Sequence, residues 1–290
     1  RTWSTARPVG TRHSWAWDGP FNETVDMTRL NAILDYDGAT ITVQSGALVL
    51  DVLRYLARYN QMLRGVQLVT QTIGGALATG HHTFYDHALP HYVVSVRRML
   101  RNGTTIHESG NQGLVSGGQR GIIVSVTLRV FELSVHCYDS YRRTHERAPL
   151  QRNELWFNDN VLVLKSAHQR ATRFHEQLYR FLLNLPRSQS SMRFQQLADL
   201  VTQPWIRRFL GKVCLPPILL LNPTETTTKY YEMEYAIPEH NATECLDALR
   251  QARSIPAHRD LMARFVFADT VPRSPAFGQD VYYLSVALHH

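Results

Sequence analysis

Arg7-Pro8-Val9-Gly10-Thr11-Arg12-His13-Ser14 is a short loop sequence set between a brief first run and a tryptophan-rich turn. Gly10 admits a positive φ and leaves room beside the backbone, so consecutive N–H groups can turn inward and form a nest for an anion such as a diphosphate. The same residues suit an ordinary surface turn. The remainder of the chain decides between them.

Working outward, Asn31 to Gly46 carries the first clear rhythm. Ile33-Leu34 leads through Asp35-Tyr36-Asp37-Gly38, which reads as a hairpin turn, into Ile41-Thr42-Val43-Gln44, which alternates as a strand. Leu48 to Leu63 places Leu50, Leu53, Leu56 and Ala57 at helical spacing with Arg54 and Arg58 on the other face, which predicts an amphipathic helix. Gln71-Thr72-Ile73-Gly74-Gly75-Ala76-Leu77-Ala78-Thr79-Gly80-His81-His82 is too small-residued to fill a core, so either a flat ligand or a neighbouring element lies against its backbone. Val93 to Leu100 and Thr105 to Glu108 read as a hairpin about Arg101-Asn102-Gly103-Thr104, and Gly121 to Val130 as a long β-branched strand.

Composition bounds the rest. The 290 residues are 44% hydrophobic and 19% charged, enough for one large core or two ordinary ones. The net charge is +7, but the basic residues are scattered, so no nucleic-acid partner is expected. Only Lys165, Lys212 and Lys229 are lysines, and arginine carries nearly all the positive charge. Cys137, Cys214 and Cys245 are odd in number, far apart and without ligand spacing, so buried thiols are expected rather than a disulfide or a metal site. The most apolar stretch, Val213 to Leu221, is broken by Pro216-Pro217 and is too short to cross a bilayer. Sequons begin at Asn22, Asn102 and Asn241.

In this order the pieces resemble the FAD-binding domain of the vanillyl-alcohol-oxidase superfamily, and within it the sugar-1,4-lactone oxidases acting on gulono-, arabinono- and galactonolactone. The carriers are Arg7 to Ser14, Ile41 to Gly46, Gln71 to His82 and Gly118 to Val130, matching the family's R-x-V-G-x-G-H-S, ITVQSG-like strand, QTIGGALATG-x-H and G-x-x-G-I-I-x-x-V-T-L-x-V. More weakly, Trp156 to Val161 matches a first cap strand, Gln203 to Phe209 a cap helix, and Tyr231 to Pro238 followed by Ala242 to Arg253 a strand-proline-helix unit. The resemblance implies an α+β fold, with a vanillyl-alcohol-oxidase-type FAD-binding lobe over residues 1–133 and a substrate or cap domain over 134–290, an antiparallel sheet covered by helices. Relative to the family pattern, the first lobe is short at its start and the cap at its end.

The resemblance also implies roles. FAD is the expected cofactor, with Gly10, Thr11, Arg12, His13 and Ser14 on the diphosphate. Gly74, Gly75, Thr79, Gly80 and His82 fall along the flavin and its linker, and Ile122 and Ile123 at the nucleotide end. His13 occupies the position where several relatives bond the flavin covalently. Three departures point the other way. Arg12 stands where relatives have glycine, and the family's G-x-H-G-T-G continues here as His81-His82-Thr83-Phe84-Tyr85, an expected partial filling of the flavin pocket. In Leu261-Met262-Ala263-Arg264-Phe265 the family's catalytic Glu-x-Arg keeps Arg264, but Met262 takes the place of the acid. Methionine can neither accept a proton nor orient a hydroxyl.

Two readings are open. One is a degenerate member, with FAD reduced or absent, serving as a structural subunit among other proteins, for instance in a mitochondrial complex. The other is an active FAD-dependent oxidoreductase of a sugar lactone. A secretory location is the alternative to the mitochondrion.

Overall fold

In a computed structural model the chain is described over residues 6–12, 23–115, 120–142, 149–157, 160–184, 213–215, 230–252 and 259–289. It forms two compact units that exchange short segments. The first comprises Arg1–His82, His87–Leu133 and Asp269–Phe277, and the second Thr83–Asp86, Ser134–Ala268 and Gly278–His290.

The first unit opens with β1 (Ala6–Val9), paired in parallel with β2 (Glu23–Asp26). Its main sheet is antiparallel and five-stranded, in the order β3 (Ile33–Tyr36), β4 (Thr40–Gln44), β8 (Ile122–Arg129), β6 (Val93–Met99) and β7 (Thr105–Ser109). The β3–β4 turn is built by Asp37, whose Oδ1 accepts from the N–H groups of Ala39 (2.8 Å) and Thr40 (2.6 Å), while Gly38 takes φ +90°. Helix α1 (Val49–Ala57) buries Leu50, Leu53 and Leu56, as its periodicity requires.

That helix is shorter than the 48–63 span expected. It stops at Ala57, Asn60 turns the chain with φ +56°, and β5 (Gln61–Met62) pairs with β9 (Phe131–Glu132). Strand pairing to a distant partner wins over the apolar spacing that continues to Leu63. Helix α2 (Ile73–Ala78) occupies the glycine-rich stretch, its N-cap Thr72 accepting from Gly75 N–H at 3.3 Å.

The second unit is organised by a seven-stranded antiparallel sheet whose strands are β10 (Ser134–Arg142), β11 (Glu154–Phe157), β12 (Asn160–Arg170), β13 (Val213–Leu215), β14 (Tyr230–Pro238), β15 (Arg259–Val266) and β16 (Val281–His289). Their spatial order is β13-β10-β12-β11-β15-β16-β14. Helix α3 (Arg173–Leu183) comes after β12, and α4 (Glu239–Gln251) leaves β14 directly at Pro238. Ala242 and Leu246 of α4 join Ala263, Phe265, Tyr282, Leu284, Trp156 and Phe84 in one apolar cluster. The fold class is α+β, as expected.

Two expectations are corrected in this unit. Trp156 to Val161 is not one strand: β11 ends at Phe157 and β12 begins at Asn160, and the two pair as a hairpin. Cys137 and Cys214 are not thiols but a disulfide, joining β10 and β13 where the two residues stand directly opposite. A pairing between strands 77 residues apart leaves no local spacing to read. Cys245 is free and half-buried. The helix expected over Gln203 to Phe209 lies outside the described residues.

Candidate functional site

In the first unit, three of the expected cofactor positions meet. A Cβ on Gly10 would lie 2.1 Å from Thr72 Oγ1, and one on Gly74 would lie 2.8 Å from Ser45 Cβ. Gly75 donates to the Thr72 hydroxyl. The Gly10 loop, the start of α2 and the end of β4 therefore converge, and the glycines are required by the chain's own packing before any ligand is considered. Ile122 and Ile123 stand where β8 begins, opposite Met99 and Arg98 of β6. They are buried and immediately precede Val124, whose carbonyl accepts the Ser45 N–H at 2.9 Å.

The corner is also polar in a way that its own residues do not satisfy. Ser45 Oγ and Gln71 Oε1, beside Gly74 and Thr72, are buried without a hydrogen-bond partner among the described residues. A buried polar atom left so costs about 1–3 kcal/mol, and native interiors show few of them. A polar group lying against this corner would relieve that cost, so the residues fit a cofactor with donors and acceptors along its length.

Other expected positions lie at the far end of α2 or beyond. Thr79 Oγ1 donates to Gly75 O (3.0 Å), and Gly80, with φ +71°, ends the helix in the conformation that favours glycine at that point. His82 Nδ1 lies 3.2 Å from Gly80 O. His81 is structural, its Nε2 accepting from Gln67 N–H at 2.7 Å and Leu68 N–H at 3.3 Å. Thr11 and Arg12 are exposed. Arg12 has φ +59°, a left-handed conformation at the position where the sequence pattern leads one to expect glycine. His13 and Ser14 lie outside the described residues.

Thr83–Asp86 belongs to the second unit. Tyr85 N–H donates to Phe265 O (2.8 Å) and Phe267 N–H to Asp86 O (3.1 Å), so the segment runs beside β15. Phe84 is 1% exposed within the apolar cluster. Tyr85 has φ +56° and sets its ring against Phe267, centroids 4.9 Å apart. This is the second non-glycine residue in left-handed backbone where the pattern calls for glycine.

The stretch expected to be catalytic, Leu261 to Phe265, lies on β15. Side chains alternate along a strand, so Ala263 and Phe265 enter the cluster under α4 while Met262 and Arg264 point to the other face. Arg264 is 5% exposed. Its Nη2 donates to Glu234 Oε1 from β14, and Ser285 Oγ of β16 donates to the same oxygen at 2.9 Å. The arrangement is a cross-strand row. Met262 stands opposite Ser285, and Ser285 opposite Glu234. Met262 itself is half-buried and packs against the apolar cluster, which also includes Leu155 of β11, alternating with Trp156 and so on Met262's side of the sheet. Sequence reasoning missed Glu234 because no local spacing links it to Arg264. The signal lay in an acid on the less exposed face of an alternating strand, Glu234 between the exposed Met233 and Tyr235, and needed the sheet order to be read.

Comparison with known proteins fits both units. Residues 4–109 match the family model described as an FAD binding domain, and residues 144–290 that of D-arabinono-1,4-lactone oxidase. The L-gulono-1,4-lactone dehydrogenase of Mycobacterium tuberculosis is 28% identical over 321 aligned positions, covering 97% of this chain and 73% of the relative. The L-gulonolactone oxidase of Mus musculus is 24% identical, covering 91% and 68%. Among solved structures, the carbohydrate oxidase from Microdochium nivale shares the fold with a TM-score of 0.63 at 14% identity, over 99% of this chain and 70% of that one.

Proposed function

The chain belongs to the D-arabinono-1,4-lactone oxidase family, and from that premise we propose that it is an FAD-dependent oxidoreductase acting on a sugar 1,4-lactone. The observation that carries this reading is Arg264, buried and held by a carboxylate on the face of the sheet away from α4. A buried guanidinium costs free energy unless it is paired, and here it is kept, paired and positioned. FAD, when bound, supplies a two-electron acceptor, so that a lactone C–H and O–H leave as a hydride equivalent and a proton. The chain's own residues divide the remaining work. In the first unit Gly10, Gly74 and Gly75 let neighbouring elements close together, Ser45 and Gln71 offer polar atoms, and Ile122 and Ile123 are buried apolar residues; in the second, Arg264 holds the Glu234 carboxylate in place.

The test is an absorption spectrum of the purified protein before and after acid precipitation, followed by anaerobic titration with gulono-, galactono- and arabinono-lactone. Bleaching of a flavin band by one lactone is the expected result. A colourless protein that stays inert after incubation with FAD would overturn the reading. Colour that remains with the precipitate would show a covalent bond, and mass spectrometry of the flavin-bearing peptide would then place it at His13 or elsewhere.

A second reading, a scaffold subunit that no longer turns over lactone, draws support from Arg12 and Tyr85, which replace expected glycines at positive φ, and from Met262. It calls for a colourless chain that purifies in a defined complex. For location, the Cys137–Cys214 bond supports an oxidising compartment such as the secretory lumen over the mitochondrial matrix. Exposed Asn102 and Asn241 would then be open to glycosylation, read as a mass shift on glycosidase treatment.

A further inference from the structure

We propose that Glu234 is the carboxylate that receives a substrate hydroxyl in this chain, doing from β14 what the sequence pattern assigns to an acid at position 262. The inference rests on the lactone reading.

The geometry is that of one row across three strands. Met262, Ser285 and Glu234 stand opposite one another on β15, β16 and β14, so all three share a face. Adjacent strands are about 4.8 Å apart, which puts the Glu234 backbone about 10 Å along the row from Met262. The side chains close that gap. Arg264 reaches across β16 and meets the carboxylate where Ser285 also donates, so charge and hydroxyl recognition gather over β16 rather than β15.

Exposure separates the partners. The Arg264 side chain is 6% exposed and that of Glu234 is 22% exposed, so the carboxylate is the member of the pair that solvent, and hence a small polyol, can reach. Its chemistry fits such a ligand. A lactone ring carries several hydroxyl donors, and a carboxylate accepts more than one hydrogen bond at a time. Fixed from two sides by Arg264 and Ser285, Glu234 does not have to be ordered on binding, which lowers the entropic cost of recognition. The tools for a bland role are present too: Glu234 balances the buried Arg264. The test must therefore read something that charge balance alone leaves unchanged.

Calorimetric titration of the purified protein with L-gulono-1,4-lactone and a series of its monodeoxy analogues provides that readout, with unfolding midpoints measured alongside. Glu234→Gln keeps an acceptor for Arg264 and removes the charge. Glu234→Asp keeps the charge and withdraws the carboxylate by one methylene, which guards against a Gln variant that folds poorly. Both are expected to weaken lactone binding about 10–100-fold, the range for a hydrogen bond to a charged group. For one monodeoxy analogue, the one lacking the hydroxyl in question, affinity should be the same in wild type and variants. Wild-type binding that the substitutions leave within about twofold would overturn this inference and leave the lactone reading standing. An equal loss for every analogue would also overturn it, leaving Glu234 a structural counter-ion. A wild type that binds no lactone at all would remove both.

Discussion

Phe84→Thr restores the residue that the family's glycine-rich motif leads one to expect, and it should harm the protein rather than help it bind flavin. Phe84 is 1% exposed and packs in the second unit among Trp156, Phe265 and Leu284. Truncating a buried phenylalanine costs about 3–5 kcal/mol, the sum of lost transfer free energy and a cavity that the neighbours only partly fill. Threonine keeps a little of the volume but adds a hydroxyl to an apolar cluster, about 1–3 kcal/mol if it finds no partner. A loss of about 4 kcal/mol is a large part of the roughly 5–15 kcal/mol that holds a domain together. For a unit of this size it corresponds to a fall in melting temperature of about 10 °C or more.

Scanning calorimetry measures that fall, and hydrogen exchange locates it. The amide of Tyr85, bonded to Phe265 O, should lose protection together with β15 and β16, while the amides of β4 and β8 keep theirs. A variant that melts within about 2 °C of wild type and takes up more flavin would refute the argument, because Phe84 would then be occupying cofactor space and not core.

Three further outcomes are expected. Gly10→Ala drives a methyl to 2.1 Å from Thr72 Oγ1; it should cost about 1–3 kcal/mol by overpacking, and a double-mutant cycle with Thr72→Gly should show coupling of at least about 0.5 kcal/mol by denaturant unfolding. Cys137→Ser with Cys214→Ser opens a loop of 77 residues and should lower stability by about 4 kcal/mol on the chain-entropy account, while non-reducing peptide mass spectrometry of the parent finds the two cysteines linked and Cys245 alkylated. Asp37 has its carboxyl held below the ordinary 3.8, first by the Thr40 N–H and then by that of Ala39; a depressed folded value means its contribution is full above about pH 4 and fades as pH falls through that value, so Asp37→Asn should flatten the acid limb of the stability curve.

What the sequence shows well is what depends on near neighbours. The hairpin at Asp37-Gly38 is legible because a carboxylate two and three residues before the N–H groups it receives is a local device. The α4 helix is legible from Pro238 and the inward Leu246. The strand β8 is legible from Ile122 to Arg129 because a central strand buries both faces and reads as a continuous apolar run. The end of α1 is not, because Leu63 keeps the helical spacing while Gln61 and Met62 are drawn into a pairing with Glu132 and Phe131. The disulfide fails for the same reason, since the register of β10 against β13 is a property of the sheet.

The candidate site divides along this line. Gly10, Gly74 and Gly75 come together because the end of β1, the end of β4 and the start of α2 meet at Thr72 and Ser45. Phe84 and Tyr85 come soon after His82 but belong to the second unit, where their segment pairs with β15.

Met262 is the instructive substitution, because its meaning depends on the direction in which the sheet is read. Along β15, an acid at 262 and an arginine at 264 would share a face at a spacing of about 7 Å, and methionine simply deletes one of them. Across the sheet, the deletion has a constraint attached. A guanidinium 5% exposed cannot be left without a counter-charge at low cost, so a chain that loses the acid at 262 and keeps Arg264 buried must bring a carboxylate from elsewhere on that face. Row geometry leaves few places for it, namely the residues opposite on β16 and β14, and Ser285 occupies the first. Glu234 occupies the second and does reach Arg264. Met262 is therefore compatible with a working pair whose acid has moved two strands along its row, and the loss of Glu-x-Arg from the sequence is no measure of the loss of its chemistry.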